Sequence, residues 1–207
     1  MKHSLSWLIS LALFAGFCWL LPPFHVVSLR QTQQSEAFSA TAFAARFWET
    51  KLIPAPDRAV SVAELLAALA HDAGAARQHF GHSPGLSSTT CFFVRGSGRI
   101  TEIATDGVKV SLDGATAPSE VKLSTGLVFG NTVRDATGLL NASDFPNSQD
   151  FNDISAELDH LVEARVLPGL HERAAVGKPV RFAGCLELED GDLPKTSEII
   201  PVEVEWP

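Results

Sequence analysis

The chain has 207 residues, 45% of them apolar, and a formal net charge of −8 from 16 basic and 24 acidic side chains. That length allows one ordinary domain or two small ones with a real core. The acidic balance, with no cluster of Lys and Arg, excludes a nucleic-acid binder, which must neutralise phosphates.

The N-terminus carries an address. Lys2 and the α-amine precede an apolar run from Leu5 to Leu21, broken only by Ser6, Ser10 and Gly16. With its tail to Leu29 the segment reaches about 25 residues, enough at 1.5 Å per residue for a hydrocarbon core of roughly 30 Å. The basic end puts the N-terminus in the cytoplasm and the rest beyond the membrane. A cleaved signal peptide needs small residues soon after the apolar core, and the nearest, Ala37 and Ser39, lie far downstream. Lipidation of Cys18 needs a small residue before it, and Phe17 stands there. The expectation is an uncleaved signal anchor over 1–29, single-pass in the cytoplasmic membrane, and a polar tether over 30–37. The globular part then lies in the periplasm.

Residues 38–85 read as a helical subdomain. Phe43, Phe47, Trp48 and Leu52 recur at helical spacing from Phe38 to Ile53, and Pro54 and Pro56 stop that helix. Ser61 and Glu64 form a capping-box pattern. An Ala/Leu-rich helix follows to about Phe80, weakened at Gly74 and ended by Gly81.

Residues 86–207 read as a β-subdomain with one inserted helix at about 153–174. Strands are expected over Cys91–Val94, Arg99–Ala104, Val108–Leu112, Val121–Leu123 and Leu127–Phe129. Gly96-Ser97-Gly98 is expected as a turn or bulge, and Asp106-Gly107 as a hairpin turn, since both residues tolerate positive φ. Ile154, Leu158, Leu161, Val162 and Val166 mark the helix, capped by Asn152 or Asp153 and kinked or split at Pro168. Val180–Leu188 and Ile199–Trp206 close the chain as strands, with Pro201 pointing to an edge. About six short strands around one helix suit a small barrel in an α+β protein, flanked by the N-terminal helices.

Gly81-His82-Ser83-Pro84-Gly85 matches the G-x-S-x-G pattern, but a nucleophile elbow needs a strand before it and a helix after. Here a helix precedes and a loop follows. His71, His79 and His82 lack the closed Cys/His set of structural zinc, so no metal is expected. No nucleophile, acid/base pair or cofactor motif is supported, and the chain reads as a non-enzyme without cofactors. Cys91 and Cys185 sit in predicted strands of the exported part. Paired, they would close a loop of about 95 residues; otherwise they are buried thiols packing as small apolar groups.

The densest polar segment spans 126–153. Arg134 could fork onto a carboxylate, a phosphate or sugar hydroxyls. Asp135 and Asp144 could accept hydroxyls, and Asn147 and Gln149 could donate or accept. These five are the candidate ligand contacts. The other reading is a buried ion pair of Arg134 with one of the carboxylates, fully hydrogen-bonded because a lone buried charge is costly.

These residues also carry a resemblance. Phe47-Trp48, Lys51-Leu52-Ile53-Pro54, Phe93-Val94-Arg95-Gly96-Ser97-Gly98, the Gly130–Gly138 block with Arg134 and Asp135, Asp144-Phe145-Pro146-Asn147 and Gly177–Gly184 resemble the domain-of-unknown-function 2291 family of predicted periplasmic lipoproteins. The resemblance implies an oligomer-binding-fold-like barrel beside a helical piece. It also implies an accessory or binding role next to sugar-type ABC import systems. Partners would be the cytoplasmic membrane, transporter components or a small polar ligand. The alternatives are a structural or protein-interaction scaffold and an unrecognised hydrolase. Two departures stand out: Phe17 spoils the lipobox that the family often carries, and Ser148 separates Asn147 from Gln149, where the family tends to show Asn-Gln together.

Overall fold

Sheet and helices are interleaved along the chain in an α+β arrangement. The computed structural model describes residues 38–54, 58–83, 88–114, 120–191 and 197–207. The expected anchor and tether lie outside them. No helix among the described residues is long and apolar enough to cross a membrane.

Helix α1, Ala40–Phe47, is capped by Ser39, whose hydroxyl accepts from the Ala42 N–H at 3.2 Å. It runs on into a π-helical turn, Trp48–Leu52. A two-residue strand, β1 (Val60–Ser61), leads into α2, Val62–His71. Ser61 holds the N-cap position, yet its hydroxyl makes no capping bond. Its backbone is instead set by parallel pairing of β1 to Arg95. The single helix expected to run to Phe80 is split, because Asp72 leaves the helical conformation and caps α3, Ala73–Phe80, by accepting from the Ala75 N–H at 3.0 Å. A short polar side chain that offers the backbone another partner wins over continued helix at that point. Gly81 ends α3 in an extended conformation rather than a left-handed one.

The expected turn at Gly96-Ser97-Gly98 is not a turn. Thr89–Ala104 is one 16-residue strand, β2. Its first part pairs with β5 (Pro179–Glu189) and its last part with β3 (Gly107–Leu112), and the two pairings overlap at Gly98 and Arg99. The glycines permit this switch of partner. A Cβ on Gly96 would lie 2.6 Å from Cζ of Phe182, and one on Gly98 would lie 2.1 Å from the Ser111 carbonyl oxygen.

Strand β4 spans Glu120–Ser124 and β6 spans Ser197–Glu205. The expected strand at Leu127–Phe129 is not formed; Leu127 and Phe129 are exposed in irregular chain. The sheet order is β1-β2-β3-β4-β6-β5, and β2 also pairs with β5. The five longer strands therefore pair in a circuit. β4 and β6 run parallel, while the other pairs of that circuit are antiparallel. Pro201 lies on an edge stretch of β6, as expected: β4 pairs with β6 only over Ser197–Ile199, so beyond it β6 is bonded to β5 alone, and the proline sits opposite Gly184 at a register shift.

Between β4 and β5 lie α4 (Thr132–Asp135), a 3-10 turn (Ala142–Asp144), α5 (Ser148–Arg165) and α6 (Leu167–Arg173). The expected cap at Asn152 or Asp153 lies inside α5; Asn147 is the cap, its amide oxygen accepting from the Asp150 N–H at 2.8 Å. Pro168 does break the helix, at the start of α6, where a missing N–H costs nothing.

Strand alternation divides the apolar residues into two cores. Phe92, Val94, Ile100, Val110, Leu123, Phe182, Leu186 and Ile199 pack inside the strand circuit, closed by Leu65 and Leu69 of α2. Cys91, Phe93, Ala183, Cys185 and Val202 face outward and are covered by Phe47, Trp48, Ile154, Leu158 and Val162. The N-terminal helices thus share cores with the sheet.

Candidate functional site

Helix α4 places Arg134 and Asp135 where the outward face of β5 meets α5. The Arg134 guanidinium donates to both Asp135 carboxylate oxygens, at 2.7 and 3.0 Å. A third donor reaches the Phe151 carbonyl at 3.3 Å, and the guanidinium lies over the Phe151 ring, 3.7 Å from its centre. Only 4% of Arg134 and 6% of Asp135 is exposed. The neighbours are tied down as well. Thr132 donates to Glu187 on β5, the Ser155 hydroxyl donates to Asn131 at 2.9 Å, and the Val128 N–H donates to Glu163 at 2.9 Å. This is the geometry of the buried pair, with forks that satisfy each other.

The other three sequence candidates are elsewhere. Asp144 is exposed at the end of the 3-10 turn. The Asn147 amide also donates to Asp150 at 2.9 Å, and Gln149 donates to Asp153 at 2.6 Å. Their polar atoms serve the start of α5.

The disulfide between Cys91 and Cys185 is not formed in the structure; both are free, buried thiols. Cys185 lies opposite Phe93, and Cys91 opposite Glu187. The two cysteines are therefore diagonal neighbours on one face rather than directly opposed partners. Burial, then the Glu187 and Asp135 carboxylates, push the Cys91 thiol up to about 12, and burial raises Cys185 further. Neither is poised as a nucleophile.

Asp159 of α5 is 5% exposed beside this cluster. Burial, then Glu163, raises its carboxyl to about 7, against opposing pulls from His160 and Arg134. The unfolded chain titrates near about 3.9, so between those values the folded protein holds the extra proton and stability falls as pH rises through about 4–7. Asp159→Asn should raise Tm by several degrees at pH 8 and leave it unchanged at pH 4. An equal gain at both pH values would reject burial of this carboxyl as the cause.

A separate concavity lies over the sheet beside the start of α2, with Ser61 and Ala63 in its lining. It holds about 520 Å³ on the outward face of β2, β5 and β6. Arg95, Ser97, Asp113, Arg181, Glu203 and Glu205 line it. Arg181 lies opposite Ser97 on one side and opposite Glu205 on the other, while Arg95 and Glu203 flank Ala183 in the next row. Ser97 donates to Asp113 at 3.0 Å. Burial, then Glu205, raises the Glu203 carboxyl. None of these residues stands out in sequence, because polar side chains alternate with apolar ones along all three strands; only the register joins them.

No group of His, Cys, Asp and Glu among the described residues could hold a metal. Ser83, of the G-x-S-x-G match, follows α3, and its hydroxyl is 3.1 Å from that of Thr90; no strand leads into it as an elbow requires.

Fold and groove define an α+β protein of the oligomer-binding-fold type with an open polar face. A crystal structure of an OB-fold protein from Thermotoga maritima MSB8 is similar over 83% of this chain and 100% of its own, at 28% identity and a TM-score of 0.72. No curated protein matches. The family model described as predicted periplasmic lipoprotein (DUF2291) matches residues 10–205, and the chain belongs to that family.

Proposed function

We propose that the chain is a non-enzymatic binding module held at the periplasmic face of the cytoplasmic membrane, with the strand circuit acting as a barrel scaffold. It takes a small polar ligand in the groove lined by Arg95, Arg181 and Glu203. The observation that carries this reading is the groove's size and chemistry. About 520 Å³ is within the usual range for small-molecule sites of roughly 300–1,000 Å³, and charged groups of both signs converge on it. The Arg134–Asp135 pair then serves as the joint between sheet and helix. An accessory role beside sugar-type import is what the family resemblance adds. Attachment is through the apolar segment, either as an uncleaved anchor or through an acylated Cys18, and the intact mass of the purified protein separates the two.

Thermal melting of the full chain in detergent, followed by the fluorescence of its four Trp, tests the binding reading. A ligand at 100 times its Kd stabilises by about 2.7 kcal/mol, a rise of about 5–10 °C. A panel of neutral sugars, sugar acids and amino acids that leaves the melting temperature unmoved would sink it and favour a scaffold.

A further inference from the structure

The floor of the groove is electrically divided. Arg95 on β2 and Arg181 on β5 are diagonal neighbours, because Arg95 lies opposite Ala183 and Arg181 opposite Ser97. Glu203 and Glu205 stand two positions apart on β6, on the same face. A positive stripe therefore runs beside a negative one. The stripes do not neutralise each other. Arg181 and Glu205 are register partners, yet among the described residues neither guanidinium forms a hydrogen bond or an ion pair, and neither glutamate does. The contrast with Arg134, which is saturated by its neighbour, is plain. Like charges side by side on adjacent strands are unfavourable unless something of opposite sign sits between them.

We infer, resting on the binding reading above, that the groove takes a small carboxylate with hydrogen-bond donors at its other end. Diagonal positions on neighbouring strands are about 7–8 Å apart, a span across which two long guanidinium side chains converge on one carboxylate. Planar forks match that group and bind it more strongly than they bind a neutral hydroxyl. The two glutamates accept from the far end, and they suit an ammonium or a set of hydroxyls equally. Sugar acids and amino acids both present this chemistry. A neutral sugar leaves the two guanidiniums without an anion.

Isothermal titration of the full chain in detergent at pH 7 with glucuronate, serine and glucose tests this. Glucuronate or serine should bind, with glucose at least about tenfold weaker, as expected when a charge-assisted bond is replaced by a neutral one. Arg95→Ala and Arg181→Ala should each weaken the carboxylate by at least about tenfold and leave glucose unchanged. Both arginines are exposed, so the variants should melt like the parent protein, which circular dichroism checks. Tighter glucuronate than serine assigns hydroxyls to the glutamate end; the reverse assigns an ammonium. If glucose binds as well as glucuronate, the carboxylate inference fails while the binding module stands. Binding that ignores both arginine substitutions removes the groove as the site. If no probe binds, both readings fail together and the charges are a solvated surface.

Discussion

Arg134→Ala should lower the stability of the protein by about 3–5 kcal/mol, the cost of leaving one member of a buried ion pair without its partner. The substitution strands Asp135, which is 6% exposed and takes both its bonds from the guanidinium. It also removes the donor to the Phe151 carbonyl and the cation stacked on the Phe151 ring. Urea unfolding of the full chain in detergent measures the loss. Replacing both residues by apolar ones of similar volume, Arg134→Met with Asp135→Leu, should cost less than Arg134→Ala alone, since no charge is then buried unpaired. A loss under about 1 kcal/mol for Arg134→Ala would show that water reaches the pair, and would return Arg134 to the list of ligand contacts.

Gly98→Val should destabilise by about 3 kcal/mol or more, through overpacking that cannot relax. The added carbon would lie 2.1 Å from the Ser111 carbonyl oxygen and 2.8 Å from Cγ1 of Val110. The first of these is backbone, so the β2–β3 pairing must open to make room. Gly98 is where β2 holds β5 and β3 at once, and the damage should spread to both cores. The checks are a lower urea midpoint and lost near-ultraviolet dichroism. A near-neutral result would mean that the two pairings at Gly98 are not both needed.

The second prediction falls on a residue whose role depended on long-range register. Gly96-Ser97-Gly98 has the local chemistry of a turn, and local chemistry is what a sequence displays. It became continuous strand because Phe182 and Ser111 approach too closely for any side chain there. Asp72 split a helix that its composition favoured, since one cap hydrogen bond was enough to redirect the backbone. By contrast, the existence of the β2–β3 hairpin, the strands Val180–Leu188 and Ile199–Trp206, and the break at Pro168 were legible, because alternation and ring geometry act over a few residues; the turn itself is Thr105-Asp106, one residue earlier than expected, with Gly107 already in β3 and no positive φ at Asp106 or Gly107.

The site divided the same way. Arg134 and Asp135 stood out in sequence because they are adjacent, and adjacency is also why they satisfy each other. Arg95, Arg181, Glu203 and Glu205 come from three strands and had no reason to be read together. The sequence by itself determined the family, through motifs that run along most of the chain, and the α+β class, through periodicities set by local backbone geometry. Tertiary structure alone decided which polar residues are locked and which are free. Burial and partner geometry are properties of surfaces brought together by folding, and a charge is available to a ligand only where no neighbour has already taken it.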